Sequence, residues 1–120
     1  MDIRDISQKQ AEFDSAHGWD TTAIPESERL NALERELVGL MGEVGEVANL
    51  VKKACLVSGR EKSASDAYLD VVSSVNEELI DILIYLLRMF QITGADIDAE
   101  YLRKLDFNKE RFKKYENSPS

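Results

Sequence analysis

Glu77-Glu78-Leu79-Ile80-Asp81-Ile82-Leu83-Ile84-Tyr85-Leu86-Leu87-Arg88-Met89-Phe90 is the stretch on which the fold turns. From Leu79 to Phe90 it is apolar on nearly every side of a helix, interrupted only by Asp81 and Arg88. Such a helix belongs in the centre of a bundle. It is too short an apolar run to span a bilayer, and its helical pattern extends from Ala67 to Ile92.

On its N-terminal side, Leu33, Leu37, Leu40, Val44, Val47 and Val51 are spaced alternately by four and three, one stripe of a helix from about Glu28 to Val57. The polar stretch from Ser58 to Ser65 separates the two long helices. Ile3, Ile6, Gln10 and Phe13 predict a first helix from about Asp2 to His17, closed by Ala16-His17-Gly18. Gly18 to Ser27, with Pro25 inside it, has the composition of a loop. On the C-terminal side, Thr93-Gly94-Ala95 ends the third helix, and Asp96 or Asp98 caps a fourth reaching about Tyr115. Residues 116–120 read as a frayed tail. No strand-like alternation or repeat competes, so the expectation is one all-α domain over residues 1–120, a four-helix bundle.

Hydrophobic residues make up 43% of the 120-residue chain and charged ones 32%, the balance of a soluble helical domain rather than a disordered or membrane chain. A chain of this size gains from association, which buries apolar faces that one copy leaves open. The formal net charge of −8 argues against long nucleic acids, whose phosphates need a basic surface. A small phosphate ligand remains compatible if cations and a local basic cluster offset the repulsion. Met1-Asp2-Ile3-Arg4-Asp5 has no secretory pattern, so a cytoplasmic location is expected. The lone Cys55 reads as a small apolar filler.

Chemistry gathers on carboxylates. Glu43 and Glu46 are three residues apart, within roughly 60° of each other on a helix, and Glu78 and Asp81 repeat that spacing on the most apolar helix. Tyr85 and Arg88 continue the second line. Carboxylates drawn together from facing helices stay ionised only with cations among them. Hard oxygen ligands suit Mg²⁺, with Mn²⁺ as a substitute. A di-iron site would need Glu-x-x-His motifs, and the single histidine, His17, is elsewhere. Gly39, Gly42 and Gly45 recur beside these residues despite their cost to a helix, which points either to close helix packing or to room for a ligand.

Three segments in order resemble a known family: Leu40-Met41-Gly42-Glu43-Val44-Gly45-Glu46-Val47-Ala48, then Glu77 to Leu86, then Lys104-Leu105-Asp106-Phe107-Asn108-Lys109-Glu110-Arg111-Phe112. Together they are similar to the MazG-like all-α nucleotide pyrophosphohydrolases, and within them to the dCTP pyrophosphatase branch. The resemblance covers roughly Leu33 to Tyr115. It implies Mg²⁺-dependent hydrolysis of a nucleoside triphosphate to the monophosphate and pyrophosphate, in nucleotide-pool house-cleaning. It implies metal binding by Glu43, Glu46, Glu78 and Asp81, phosphate or sugar contacts from Lys104, Asn108 and Arg111, and Tyr85 beside the nucleotide. It also implies a homodimer or homotetramer with sites near subunit contacts. Glu46 is the candidate general base toward the attacking water.

The chain departs from the family in places. Gly42 stands at the first position of the wider family's E-E-x-x-E motif, as in the dCTP pyrophosphatase branch. The gap from Glu46 to Glu78 is longer than usual, implying a larger loop around Ser58 to Ser65. Lys53 stands where that branch has a tryptophan, which leaves base recognition open. Lys53 is read as a guard of the substrate mouth, against the ordinary alternative of an exposed lysine. Trp19 is read as a base-stacking surface, with core or interface packing as its alternative. Two rivals keep the residues but change the role: hydrolysis of another nucleotide-like diphosphate, or a non-enzymatic acidic helical module for a basic partner.

Overall fold

The computed structural model describes residues 1–116, and the expected tail at 117–120 lies outside them. Four α-helices follow one another: α1 Ile3–Ala16, α2 Glu26–Val57, α3 Ala64–Thr93 and α4 Ile97–Arg111, with a 3₁₀ turn at Lys113–Tyr115. The all-α reading stands. Among the described residues the only β-type pairing is an isolated bridge between Ser58 and Lys62.

Local chemistry sets the helix ends. Asp2 and Asp5 exchange backbone-to-carboxylate hydrogen bonds of 2.9 and 3.0 Å in a capping box that starts α1. Helix α2 begins two residues earlier than its apolar stripe predicts, with Pro25 as the cap residue, because the fixed φ of proline suits a helix entrance. Helix α3 also begins earlier, because the Ser63 hydroxyl accepts from the Asp66 N–H. Asp96, rather than Asp98, caps α4, and the helix ends at Arg111, with Tyr115 in the separate turn.

The long gap between the two carboxylate pairs is taken up by helix, not by a large loop. The Val57 carbonyl accepts from the N–H groups of Arg60, Glu61 and Lys62, and Gly59 supplies a φ of +75°. The chain thus reverses in a tight turn, and α2 and α3 pack along their lengths as a hairpin.

Helix α1 is fastened to α3 chiefly by polar groups. The fully buried Asp14 receives two hydrogen bonds of 2.9 Å from Arg88, Nε to Oδ2 and Nη2 to Oδ1, and a third from Gln10. Gln91 donates to the Ser7 carbonyl and hydroxyl and accepts from the buried Thr21 hydroxyl at 2.6 Å. Arg4 bridges the start of α1 to Asp96 and Asp98 at the start of α4.

The four helices do not close on one another within one chain. The radius of gyration is 18.7 Å, against about 14 Å for a compact domain of this length. Among the described residues only Ala32, Ala67, Leu87 and Ile92 form a buried apolar core. The α3 stretch expected at a bundle centre leaves Leu79, Ile80 and Leu86 exposed, and the α2 stripe leaves Leu37, Val44 and Val51 exposed. Cys55 is exposed, not a buried filler, because it lines an open hollow between α2 and α3 together with Ala54, Ala67 and Tyr68. No helix among the described residues is long and apolar enough to cross a membrane.

The Asp14–Arg88 pair is the most enclosed ionic contact, so deleting one partner strands a charge. Asp14→Ala is expected to lower unfolding free energy by about 3–5 kcal/mol. The double variant Asp14→Leu/Arg88→Met should recover most of that loss. Urea denaturation followed by circular dichroism measures both.

Candidate metal and nucleotide site

The hairpin register brings the carboxylates of both helices together. Glu43 stands 17 residues before Arg60 and Glu78 stands 17 residues after Glu61, so the two face each other across the pairing. Glu43, Glu46 and Glu78 each offer an oxygen within 4.8 Å of the others. Glu43 Oε2 and Glu78 Oε2 are shut off from solvent with no hydrogen-bond partner, while Glu46 is exposed.

Three acceptors without a donor among them cannot all stay ionised at such separations. Glu78 is pushed up to about 8, because a proton on it can be shared first with Glu43 and then with Glu46, with burial and the two negative charges adding. The alternative to a shared proton is a cation. An all-oxygen donor set with two enclosed, unsatisfied oxygens fits a hard divalent ion.

Asp81 lies one turn beyond Glu78, exposed and outside this triad. It shares with Glu43, Gln10, Phe13, Ile84, Tyr85 and Arg88 a hollow of about 430 Å³. Tyr85 and Arg88 also line a larger cleft of about 580 Å³, with Trp19, Thr21, Arg35 and Glu36 on its walls. Two residues are therefore common to the carboxylate side and the cleft.

Gly39 explains how Tyr85 sits there. A Cβ at position 39 would meet the ring Cζ at 2.5 Å and the hydroxyl at 2.7 Å, whereas Gly42 and Gly45 face open space. Only the first of the three glycines serves close packing within the chain. Trp19 is 56% exposed, with its ring stacked on His17 at a centroid distance of 5.3 Å. It packs on α1 and walls the cleft at once.

The remaining expected residues lie elsewhere. Lys53 is exposed on α2 beyond Glu46 and lines neither hollow. Lys104, Asn108 and Arg111 sit on α4, which within one chain stays apart from the carboxylates. Lys104 lies over the Phe107 ring and Arg111 over Phe112. Two further acidic residues, Asp14 and Glu36, join the site's surroundings only in the folded chain. Asp14 could have been sought as the partner that Arg88 needs in an apolar run. Glu36 lies two turns before Glu43 and stands out only when the cleft is seen. Its Oε2 is enclosed without a hydrogen-bond partner, 3.9 Å from Arg88 Nη1, and burial pushes its carboxyl up against the opposing pull of Arg88.

This geometry of carboxylates beside a nucleotide-sized cleft agrees with the comparisons to known proteins. The chain is 28% identical to proteins named dCTP pyrophosphatase 1 from Rattus norvegicus and Homo sapiens, over 92% of this chain and 58% of theirs. It is 30% identical to the Bos taurus protein of that name, over 92% of this chain and 59% of that one. The chain is similar to the dCTP pyrophosphatases over almost its whole length. It spans somewhat less than two thirds of these relatives. No protein-family model matches the chain, and no solved structure does.

Two outcomes follow from the site. Since Glu78 has an ordinary value of 4.5 and a folded value of about 8, the folded chain holds a proton there that the unfolded chain releases. The associated stability is fully present below about pH 4.5 and is lost as pH rises to about 8. Metal-free protein should show a falling urea midpoint across that window, and Glu78→Gln should flatten it. Gly39→Ala should displace the Tyr85 ring and lower the thermal midpoint, although alanine by itself favours a helix. Tyrosine fluorescence would be quenched or shifted in step.

Proposed function

We propose that this single domain is a divalent-metal-dependent hydrolase that cleaves a nucleoside triphosphate between its α and β phosphates, releasing the monophosphate and pyrophosphate. The observation that carries this reading is the meeting of Glu43, Glu46 and Glu78 around two enclosed oxygens that lack partners. Glu43, Glu46 and Glu78 would hold the ion, with Asp81 beside them. When bound, Mg²⁺ or Mn²⁺ supplies charge neutralisation for the phosphates and orientation for the attacking water.

The chain's own residues do the rest. Glu46, the solvent-exposed member of the triad, accepts the proton of the attacking water. Tyr85, seated against Gly39, walls the passage between the carboxylates and the cleft. Arg88 is committed to Asp14 and fixes the floor of that passage. Lys104, Asn108 and Arg111 would reach phosphates only from a second copy, since α4 stands away from the triad of its own chain. A homodimer or homotetramer is therefore part of the reading, and the exposed apolar groups of α2, α3 and α4 support it. Nucleotide-pool house-cleaning in the cytoplasm is the role that goes with it, and Lys53, which lines neither hollow, has no part in the site of its own chain.

Incubation of the purified chain with ribo- and deoxyribonucleoside triphosphates and Mg²⁺ should yield monophosphate and pyrophosphate, and chelation should stop it. Monophosphate with inorganic phosphate alone, or no product from any nucleotide, would sink the reading. Glutamine at Glu43, Glu46 or Glu78, or asparagine at Asp81, should lower kcat on the order of a hundredfold or more while the helical circular dichroism persists, the scale set by losing one transition-state-stabilising group.

A further inference from the structure

Two side chains on the wall of the 430 Å³ hollow have hydrogen-bonding capacity to spare. Gln10 of α1 and Arg88 of α3 line it together with Glu43, Asp81 and Tyr85. Both donate at 2.9 Å to one oxygen, Oδ1 of the fully buried Asp14, and Arg88 adds a bond from Nε to Oδ2. An ionised carboxylate only accepts, so Asp14 dictates how both partners turn. Gln10 gives it Nε2, which leaves Oε1 as an unspent acceptor. Arg88 gives it the Nε and Nη2 side of the guanidinium, which leaves Nη1 as an unspent donor. Neither Oε1 nor Nη1 makes a hydrogen bond, and neither is shut off from solvent as Oε2 of Glu36 is.

A donor and an acceptor held side by side on one carboxylate oxygen suit a hydroxyl, which accepts one hydrogen bond and donates another. They do not suit a phosphate. The guanidinium stands between Asp14 and Glu36, whose Oε2 is 3.9 Å from Nη1, and Glu43 and Asp81 face the same hollow. Its positive charge is already answered. Arg35 lines only the larger cleft and adds no cation to this wall. The hollow reaches from Glu43, a member of the carboxylate triad, to Tyr85 and Arg88, which also line the larger cleft. In a nucleotide whose phosphates meet a cation at the triad and whose base enters the cleft, the sugar lies at that junction.

Resting on the hydrolase reading above, we infer that Arg88 and Gln10 are specificity-determining residues that read the sugar. Arg88 Nη1 donates to its 3′-hydroxyl, Gln10 Oε1 accepts from the same group, and Asp14 is the positioning residue that orients both. The 3′-hydroxyl is the one that ribose and deoxyribose share, so the contact serves either sugar and is lost with a 3′-deoxy one. An analogue without it leaves a charged donor and an amide oxygen unpaired in an enclosed wall. A site built to pair a hydroxyl rejects such an analogue for that reason.

The test compares the ribo, 2′-deoxy and 2′,3′-dideoxy triphosphates of cytosine and adenine, with Mg²⁺, and equilibrium binding of the matching monophosphates. It uses wild type, the double variant Asp14→Leu/Arg88→Met and Gln10→Met, each checked for folding by its urea curve. The double variant strands no charge, so it separates a sugar contact from a role in holding α1 to α3. Wild type is expected to lose at least about tenfold in KM and monophosphate affinity when the 3′-hydroxyl is removed, with kcat little changed. The double variant should erase most of that difference, and Gln10→Met, which decides the matter if the double variant does not fold, should erase part of it. A wild type indifferent to the 3′-hydroxyl overturns the assignment. So do folded variants that keep the full difference, or that weaken all three sugars equally, as loss of a merely structural contact would. Failure of wild type to hydrolyse any triphosphate overturns the hydrolase reading instead. Monophosphate binding that depends on the 3′-hydroxyl, and loses that dependence in the variants, would then still establish the contact, whereas no binding of any monophosphate overturns both.

Discussion

The pairing of α2 with α3 is the constraint on which the rest of the molecule depends. A turn of only a few residues, closed by one carbonyl taking three N–H groups, fixes how the two helices of 32 and 30 residues face each other. That register places Glu43 and Glu46 opposite Glu78, lets Tyr85 lie against the bare backbone of Gly39, and sets Arg88 near Glu36. A shift of one residue in the pairing would turn each of these side chains by about 100° away from its partner.

Helix α1 is held to this hairpin in a different way. Its main attachments are the Asp14–Arg88 fork and the Gln91 hydrogen bonds to Ser7, with Thr21 of the following loop also bonded to Gln91 and Arg4 joining the start of α1 to α4. Buried polar contacts of this kind are directional, so they fix orientation more than they add net stability. The consequence is a rigid floor under the cleft. The apolar surface that would ordinarily supply stability is left exposed along α2, α3 and α4, and contiguous exposed apolar surface marks an interaction face.

The carboxylate triad works against the folded chain and toward the binding of a cation. Concentrating acidic groups lifts Glu78 to about 8 and leaves two oxygens enclosed without partners. Such an arrangement is disfavoured in isolation and relieved by a cation, which makes the site selective for what neutralises it. The likeness to dCTP pyrophosphatases fits that economy, since phosphate hydrolysis calls for positioned charge rather than a reactive side chain.

The sequence by itself determined the helices, their order and the identity of the carboxylates. These follow from local rules: apolar spacing near 3.6, Ser or Asp at helix entrances, glycine beyond helix ends, and acidic residues three apart. It was less informative where a property depends on what lies across space. Leu79, Ile80 and Cys55 read as interior, yet each stands exposed. Periodicity tells which face is apolar, not whether a neighbour exists to cover it. The expected loop around Ser58 to Ser65 is shortened to the turn between Val57 and Ala64 because Ser63 caps α3 earlier than the apolar pattern begins. Only the tertiary structure decided that Asp81 stands outside the tight triad, that α4 is remote from it, and that Asp14 answers Arg88. It alone gathered Glu36, Trp19 and Tyr85, from two helices and a loop, around one cleft, because helix register and loop path are set by packing among distant residues rather than by any local run of the chain.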